Sequence, residues 1–289
     1  MGESVVAQLV KAPAKVNLNL CITGKRPDGY HLLESDVVFT DFGDELSFQP
    51  AAVDGFEVTG PYAADLAAVA DTNICQRALA AFRKYGGVID PVHINLRKYI
   101  PVGAALGGGS ADAAATLRYL NQHANVPLAP NKLSQVAATL GADVPVCLQS
   151  KSHHMSGIGD VLVELEWPGN HAKDTFIVLA NPGVSLSTAD VFRQFKRGTS
   201  SAVAANETVC MTAGDFITKG NDLTNTAVTL VPEIEQLITN LVRQHGSRHC
   251  AMSGSGASCF ALFGNEVDCH QAAQNLQKNG YWAVASTII

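Results

Sequence analysis

The sequence predicts an α+β fold in two domains. Three observations carry that expectation. Segments with strand and helix patterns are mixed along the chain without strict strand–helix–strand alternation, which disfavours a doubly wound parallel sheet. The length, 289 residues, suits one large domain or two medium ones. Hydrophobic residues make up 47% and charged residues 16%, so a sizeable core can be buried.

In order, Val5–Leu9 and Lys15–Ile22 have strand patterns and are joined across Lys11-Ala-Pro-Ala14. Gly24-Lys-Arg-Pro-Asp-Gly29 is a turn, and strands follow at Asp36–Thr40 and Glu45–Gln49. Asp71–Tyr85 is helical, with Asp71 or Thr72 as cap, Ile74, Ala78, Ala81 and Phe82 on one face, and Gly86-Gly87 as stop. Val92–Leu96 alternates as a strand. Gly103–Ser110 is a glycine-rich loop, followed by helices at Ala111–Ala124 and Asn131–Leu140, the second stopped by Gly141. Further strands are expected at Phe176–Ala180, Cys250–Met252 and Ser258–Phe263, and helices at Thr188–Phe195, Pro232–His245 and Val267–Asn279. Pro232 suits a first helical turn. Residues 198–214 are polar and small and are expected to form a surface excursion. A domain change is expected near 150–165, giving domains 1–155 and 156–289.

Composition narrows the partners. The net charge is −6 and there is no dense Lys/Arg run, so neither nucleic acid nor an anionic membrane is an expected partner. No apolar run is long enough to span a bilayer, and the first residues lack the apolar core of a signal peptide. Seven scattered cysteines, an odd count without a Cys-x-x-Cys pair, fit a reducing compartment rather than a disulfide scaffold or a structural zinc site. A soluble cytoplasmic protein is the expectation.

The most informative stretch is Pro101-Val-Gly-Ala-Ala-Leu-Gly-Gly-Gly-Ser-Ala-Asp112. Consecutive glycines let backbone approach a ligand closely and take positive φ. Ser110 opens a run of strong helix formers, so unpaired N–H groups and a positive helix end would converge where a polyphosphate binds. No Gly-Lys-Ser/Thr follows, so this is not a P-loop, and the Gly-x-Gly-x-x-Gly spacing of a dinucleotide fold is missing. Taken alone, a glycine run is equally a turn that starts a helix.

The full string resembles the second motif of the GHMP kinases. It matches at Pro101, Gly103, Leu106, Gly107, Gly108, Gly109, Ser110 and Asp112, and departs at Ala105, where Gly is usual, and Ala111, where Ser is usual. Lys11-Ala-Pro-Ala-Lys-Val-Asn-Leu-Asn19 resembles the first motif, and Ser253-Gly-Ser-Gly-Ala-Ser258 the third. Two strings, Arg26-Pro-Asp-Gly-Tyr-His31 and Gly141-Ala-Asp-Val-Pro145, are similar to the diphosphocytidyl-methylerythritol kinases in particular.

The resemblance implies an N-terminal nucleotide domain with the fold of a small-subunit ribosomal protein, a C-terminal α/β sandwich domain, and an active-site cleft. It implies ATP and Mg²⁺, and phosphorylation of the 2-hydroxyl of the cytidyl alcohol. ATP would lie against Pro101, Val102, Gly103, Ala104, Ala105, Leu106, Gly107, Gly108, Gly109, Ser110 and Ala111, with Asn73, Ile74 and Lys98 nearby and Ser110 touching Mg²⁺. Asp143 would be the base and Lys15 its partner. A carboxylate within hydrogen-bond reach takes a hydroxyl proton as phosphoryl arrives, and a lysine beside it holds the acid ionised and offsets phosphate charge. On a strand of period two, Lys15, Asn17 and Asn19 share one face. Asn17 would meet substrate, Tyr30 would stack on cytosine, His31 would hydrogen-bond its polar edge, and Phe192 would cover its other face.

Without the resemblance, Lys15 is an exposed strand lysine, Asp143 a turn residue, Tyr30-His31 a surface turn and Phe192 core. A further aromatic of some relatives is Val37 here. His153-His154 point oppositely on an extended segment and lack ligand spacing, which favours structural use. Trp167 and Trp282 are expected to pack. The competing readings are another GHMP kinase, of homoserine or mevalonate type, and a non-catalytic nucleotide-binding protein.

Overall fold

The computed structural model describes residues 8–66, 73–165, 175–195 and 220–289. β1 (Gln8–Asn17) is one strand through Ala12-Pro13-Ala14, where the sequence suggests a break. β2 (Cys21–Lys25) and β3 (His31–Pro50) pair antiparallel from Cys21↔Glu34 to Lys25↔His31. The connecting turn is closed by the Arg26 N–H donating to the Tyr30 carbonyl at 2.7 Å. β3 is continuous where the pattern suggests two strands. Gly43 permits this, because a Cβ there would lie 2.3 Å from the Ala12 carbonyl oxygen, so only glycine lets the two backbones pass.

β4 (Gly55–Thr59), α1 (Ala63–Leu66), α2 (Ile74–Lys84) and β5 (Val92–Arg97) follow. Asn73 caps α2, its side chain accepting from the Cys75 N–H at 2.9 Å. Asp71 and Thr72, the caps suggested by sequence, lie outside the described residues. α3 (Gly108–His123) begins three residues before the predicted start. α4 (Pro130–Leu140) and α5 (Val144–Gln149) come next, the latter unforeseen. Then come β6 (His153–Ser156), β7 (Val161–Glu164), β8 (Phe176–Asn181) and α6 (Thr188–Gln194). α7 (Thr224–Leu230), α8 (Glu233–Val242), β9 (Ser247–Met252), β10 (Cys259–Phe263), α9 (Glu266–Lys278) and β11 (Trp282–Thr287) complete the order. Residues 198–214 and Trp167 lie outside the described residues.

The described chain forms two compact units. The first draws on Met1–Ala14, Gly43–Val102 and Gly107–Ser150, the second on Lys15–Phe42, Gly103–Leu106 and Lys151–Ile289. In the first unit, the Glu45–Pro50 end of β3 pairs antiparallel with β5, and β5 pairs parallel with β4. Leu46 and Phe48 face Leu96 and Ile94 across that ladder, and all four are buried with Phe82, Leu117 and Leu120 of the helices. Phe48 stacks on Tyr119 of α3 at 3.8 Å between ring centroids.

In the second unit, β11, β8, β10 and β9 form a four-stranded antiparallel sheet in that order. Every residue of β10 is buried, and Ile234, Leu237, Ile238 and Leu241 of α8 and Cys269, Ala272, Ala273 and Leu276 of α9 pack with it in one core. Burial of an apolar side chain stabilises by roughly 1.5–3 kcal/mol, so these helix faces are what hold the sheet in place. Trp282 packs on Phe42 at 5.8 Å, as a packing residue should. Among the described residues no helix is long and apolar enough to cross a membrane.

Candidate active site

The glycine-rich loop takes three left-handed residues in alternation, Gly103 at φ 72°, Ala105 at φ 53° and Gly107 at φ 64°. Gly107 is the N-cap residue of α3, and no side chain caps that end. The first N–H groups of a helix have no partner within it, and here Gly107–Gly109 leave them uncovered by side chains. The two helical glycines differ. A Cβ on Gly108 would lie 3.0 Å from Lys98 Nζ and 3.2 Å from Ile100 Cγ2, whereas one on Gly109 would meet nothing within 4 Å. Gly109 is exposed, Ser110 half-buried and Ala111 buried. The helix therefore offers bare backbone at the anion-binding end.

The Gly103–Leu106 stretch is fixed by backbone of its own unit. The Lys15 N–H donates to the Leu106 carbonyl at 2.9 Å. The Ser253 hydroxyl donates to the Ala105 carbonyl at 3.3 Å and accepts from the Asn17 N–H at 3.1 Å. Thus the segments resembling the first, second and third motifs are tied together. Gly103 is needed for space as well as for φ, since a Cβ would come 2.5 Å from Ser185 Oγ.

Beneath the start of α3 lies a buried charge cluster. Lys98 Nζ is 2.5 Å from Asp44 Oδ2 and 2.7 Å from Asp112 Oδ2, and all three side chains are at most 4% exposed. Asp44 Oδ1 also accepts from the Tyr99 and Ile100 N–H groups at 2.6 and 2.8 Å. Burial works against the Lys98 charge, but the two carboxylates outweigh it and its pKa is raised. Burial pushes Asp112 up to about 7, with the Lys98 charge opposing. Lys98 was expected beside the nucleotide; its ammonium is engaged by these acids. Asp44 was not foreseen. Nothing in its local sequence marks it, because its partners lie over fifty residues away.

Lys15 and Asn17 are buried in β1, and Asn19 is buried just beyond its end. The Asn17 amide donates to Ser35 Oγ at 2.7 Å. Val16 and Leu18 are buried too, so the strand is enclosed on both faces rather than half-exposed as alternation suggests. Asp143 occupies the N-cap position of α5, half-buried, and its carboxylate does not cap the helix. Lys15 belongs to the second unit and Asp143 to the first. Asn73, expected near adenine, is buried and spends its side-chain oxygen on the α2 cap, with Ile74 half-buried beside it.

The structure brings His31 and Phe192 together, ring centroids 5.3 Å apart and tilted 33°. Phe195 completes the group, edge-on to His31 at 5.9 Å. Phe195 was not singled out from sequence, although it is the last residue of the Thr188–Phe195 helical pattern. Desolvation and the Lys25 charge lower the His31 pKa, which favours the neutral ring with one donor and one acceptor. Tyr30 is 63% exposed at the turn between β2 and β3. Val37 is fully buried.

Two family models match: GHMP kinases N terminal domain over residues 73–151, and GHMP kinases C terminal over residues 209–281. A 4-diphosphocytidyl-2-C-methyl-D-erythritol kinase of Cereibacter sphaeroides is 41% identical over 96% of this chain and 98% of its own. The chain belongs to the 4-diphosphocytidyl-2-C-methyl-D-erythritol kinase family of the GHMP kinases. A crystal structure of a 4-(cytidine 5'-diphospho)-2C-methyl-D-erythritol kinase superposes with a TM-score of 0.78 at 30% identity, covering 97% of this chain and 99% of that one. A homoserine kinase of Cytophaga hutchinsonii shares the fold, with a TM-score of 0.67 at 19% identity over 100% of this chain and 96% of that one.

Membership makes the two departures from the motif informative. Ala105 holds a left-handed conformation that glycine adopts freely, so this kinase carries backbone strain in the loop where a glycine is usual. Ala111 is 1% exposed, so its methyl is part of the packing under α3. Among the described residues no group of three or more His, Cys, Asp or Glu side chains is placed to hold a metal. His153 is buried, its Nδ1 2.7 Å from the Lys151 carbonyl, and His154 Nδ1 lies 2.8 Å from Asp36 Oδ1. Each histidine thus has a ring nitrogen engaged within the protein.

Proposed function

We propose that the chain transfers the γ-phosphate of ATP to the 2-hydroxyl of 4-diphosphocytidyl-2-C-methyl-D-erythritol, giving the 2-phosphate and ADP, in the cytoplasmic non-mevalonate route to isoprenoid precursors. The single observation that carries the reading is the bare amide end of α3 at Gly107–Gly109, within a chain 41% identical to a named kinase of this type. The triphosphate suits that end because N–H groups and the helix dipole act at one point, and the open space at Gly109 admits it. Residues 101–111 line its path, with Asn73 and Ile74 towards the base. Lys98 acts from beneath.

Mg²⁺ would travel with the triphosphate rather than sit in a protein cage, and the Ser110 hydroxyl on the first turn would be its ligand from the chain. Asp143 takes the proton of the acceptor hydroxyl, and Lys15 balances charge on the transferring group. Asn17, Tyr30, His31 and Phe192 receive the cytidyl substrate: a neutral imidazole presents one donor and one acceptor to the base edge, and aromatic faces take its two sides. Catalysis is then positioning plus charge stabilisation. We assign residues 1–155 to a nucleotide-binding domain that also lends Asn17, Tyr30 and His31 to the substrate, and 156–289 to a substrate domain, in a monomer or weak homodimer.

The test compares ATP-dependent phosphorylation of the cytidyl alcohol, homoserine and mevalonate. The cytidyl alcohol is expected to be the turned-over substrate. Turnover of another acceptor in its place, or of none, overturns the reading.

A further inference from the structure

We propose that Lys98, Asp44 and Asp112 form a buried clamp that fixes both shoulders of the glycine-rich loop, making Lys98 and Asp112 positioning residues for the nucleotide. This rests on the reading that the loop binds ATP. The loop is entered through residues 98–100 and left through the first turns of α3. Asp44 holds the entry by three contacts, from Lys98 Nζ and from the Tyr99 and Ile100 N–H groups. The Lys98 N–H is itself anchored to the Thr59 carbonyl at 2.8 Å. The same ammonium holds the exit, through Asp112 Oδ2 at 2.7 Å. One buried charge therefore spans the loop from shoulder to shoulder, directly below Gly108, whose missing side chain leaves room for it.

Stability alone is a poor reason for this cluster. Two carboxylates share one ammonium, and Asp112 Oδ1 is buried without a hydrogen-bond partner. Replacing a whole buried ion-pair cluster by well-packed apolar side chains is often neutral or stabilising. A polar group retained at such a disadvantage points to a positional role. The loop's amides must hold their geometry for a phosphate, and small misplacement at a site lowers its effectiveness steeply.

Asp112→Leu tests this. It unties α3 from Lys98 and leaves Asp44–Lys98 as a neutral pair, so the fold is preserved. Titration with a non-hydrolysable ATP analogue is expected to show affinity reduced by about tenfold or more, with the KM of the cytidyl alcohol within about twofold of wild type. The melting temperature is expected to hold or rise. Asp112→Asn keeps an acceptor for Lys98 and is expected to restore nucleotide affinity to within about threefold. Lys98→Met leaves two buried carboxylates without their cation, so it is expected to repeat the nucleotide loss at a lower melting temperature, and Asp112→Val carries the test if Asp112→Leu does not fold. Leu117→Ala, a buried α3 substitution away from the cluster, is expected to lower the melting temperature without changing nucleotide affinity. Wild-type affinity in Asp112→Leu or Lys98→Met, or an equal loss in Leu117→Ala, overturns the clamp. A wild type that binds the analogue but does not phosphorylate the cytidyl alcohol overturns the proposed reaction and leaves the clamp standing.

Discussion

The imidazole of His31 lies against the ring of Phe192, 5.3 Å between centroids, although 161 positions separate them in the chain. Neither residue type is exceptional at its place in the sequence. Together with Phe195 they make an aromatic corner in the second unit, close in chain position to exposed Tyr30. Ring pairs of this kind add about 0.5–1.5 kcal/mol beyond simple burial.

The first prediction concerns that corner. Phe192→Leu keeps apolar bulk but loses the ring face. The KM for the cytidyl alcohol is expected to rise about tenfold, equivalent to about 1.4 kcal/mol, with the KM for ATP unchanged. Steady-state kinetics with each substrate varied in turn would show this. An equal rise in both constants would remove the corner from the substrate site.

The second concerns Asp143. The carboxylate leaves α5 uncapped, so an amide in its place loses no helix cap. Asp143→Asn is expected to lower kcat by about 10²–10⁴-fold, the usual range for general-base removal. Unchanged turnover would strip Asp143 of its role.

A third prediction separates the two helical glycines. Gly109→Ala meets open space and replaces glycine with the best helix former, so stability is expected to rise by up to about 1 kcal/mol. The new methyl stands where phosphate approaches, so ATP affinity is expected to fall. Gly108→Ala brings a methyl to 3.0 Å from Lys98 Nζ and is expected to lose both stability and affinity. Urea unfolding and nucleotide titration on both variants would test the contrast.

Fourth, Ala105→Gly relieves the left-handed strain at φ 53°. Strain of about 1–2 kcal/mol is removed, and about 0.4–1 kcal/mol of unfolded-chain entropy opposes it. A net gain of between zero and about 1.6 kcal/mol is expected, read from urea unfolding. A clear loss would mean that the alanine methyl is needed for packing.

Fifth, pH acts through His249, whose pKa is lowered by burial and whose Nε2 is buried without a partner. The folded value lies below the unfolded 6.5, so the unfolded chain takes up the proton first as pH falls. The stability associated with the neutral ring is therefore full above 6.5 and is lost as pH falls through the lower folded value. His249→Leu is expected to flatten that part of the stability–pH curve. An identical slope in wild type and variant would exclude His249 as its source.

Much of the architecture was legible. Hydrophobic period and punctuation located α2, α4, α6, α8, α9 and the strands β5, β8, β9 and β10 to within a few residues. What was misplaced has physical causes. β3 runs on because Gly43 lets another backbone pass, a constraint from Ala12 that the local pattern does not contain. α3 starts early because left-handed Gly107 caps it and two glycines can be helical at a first turn, against their propensity. Asn73 matches a family position near a base, but its capping role depends on where α2 begins.

By itself the sequence determined the α+β class and the kinase family, because glycine strings, proline and helix periodicity act locally and carry their meaning in a few neighbouring positions. Only the tertiary structure decided which side chains share an environment: Asp44 and Asp112 on one ammonium, Ser253 on the Ala105 carbonyl, Phe195 on His31. Those pairings join residues far apart in the chain, and burial fixes the charge and freedom of each group only once the chain has closed around it.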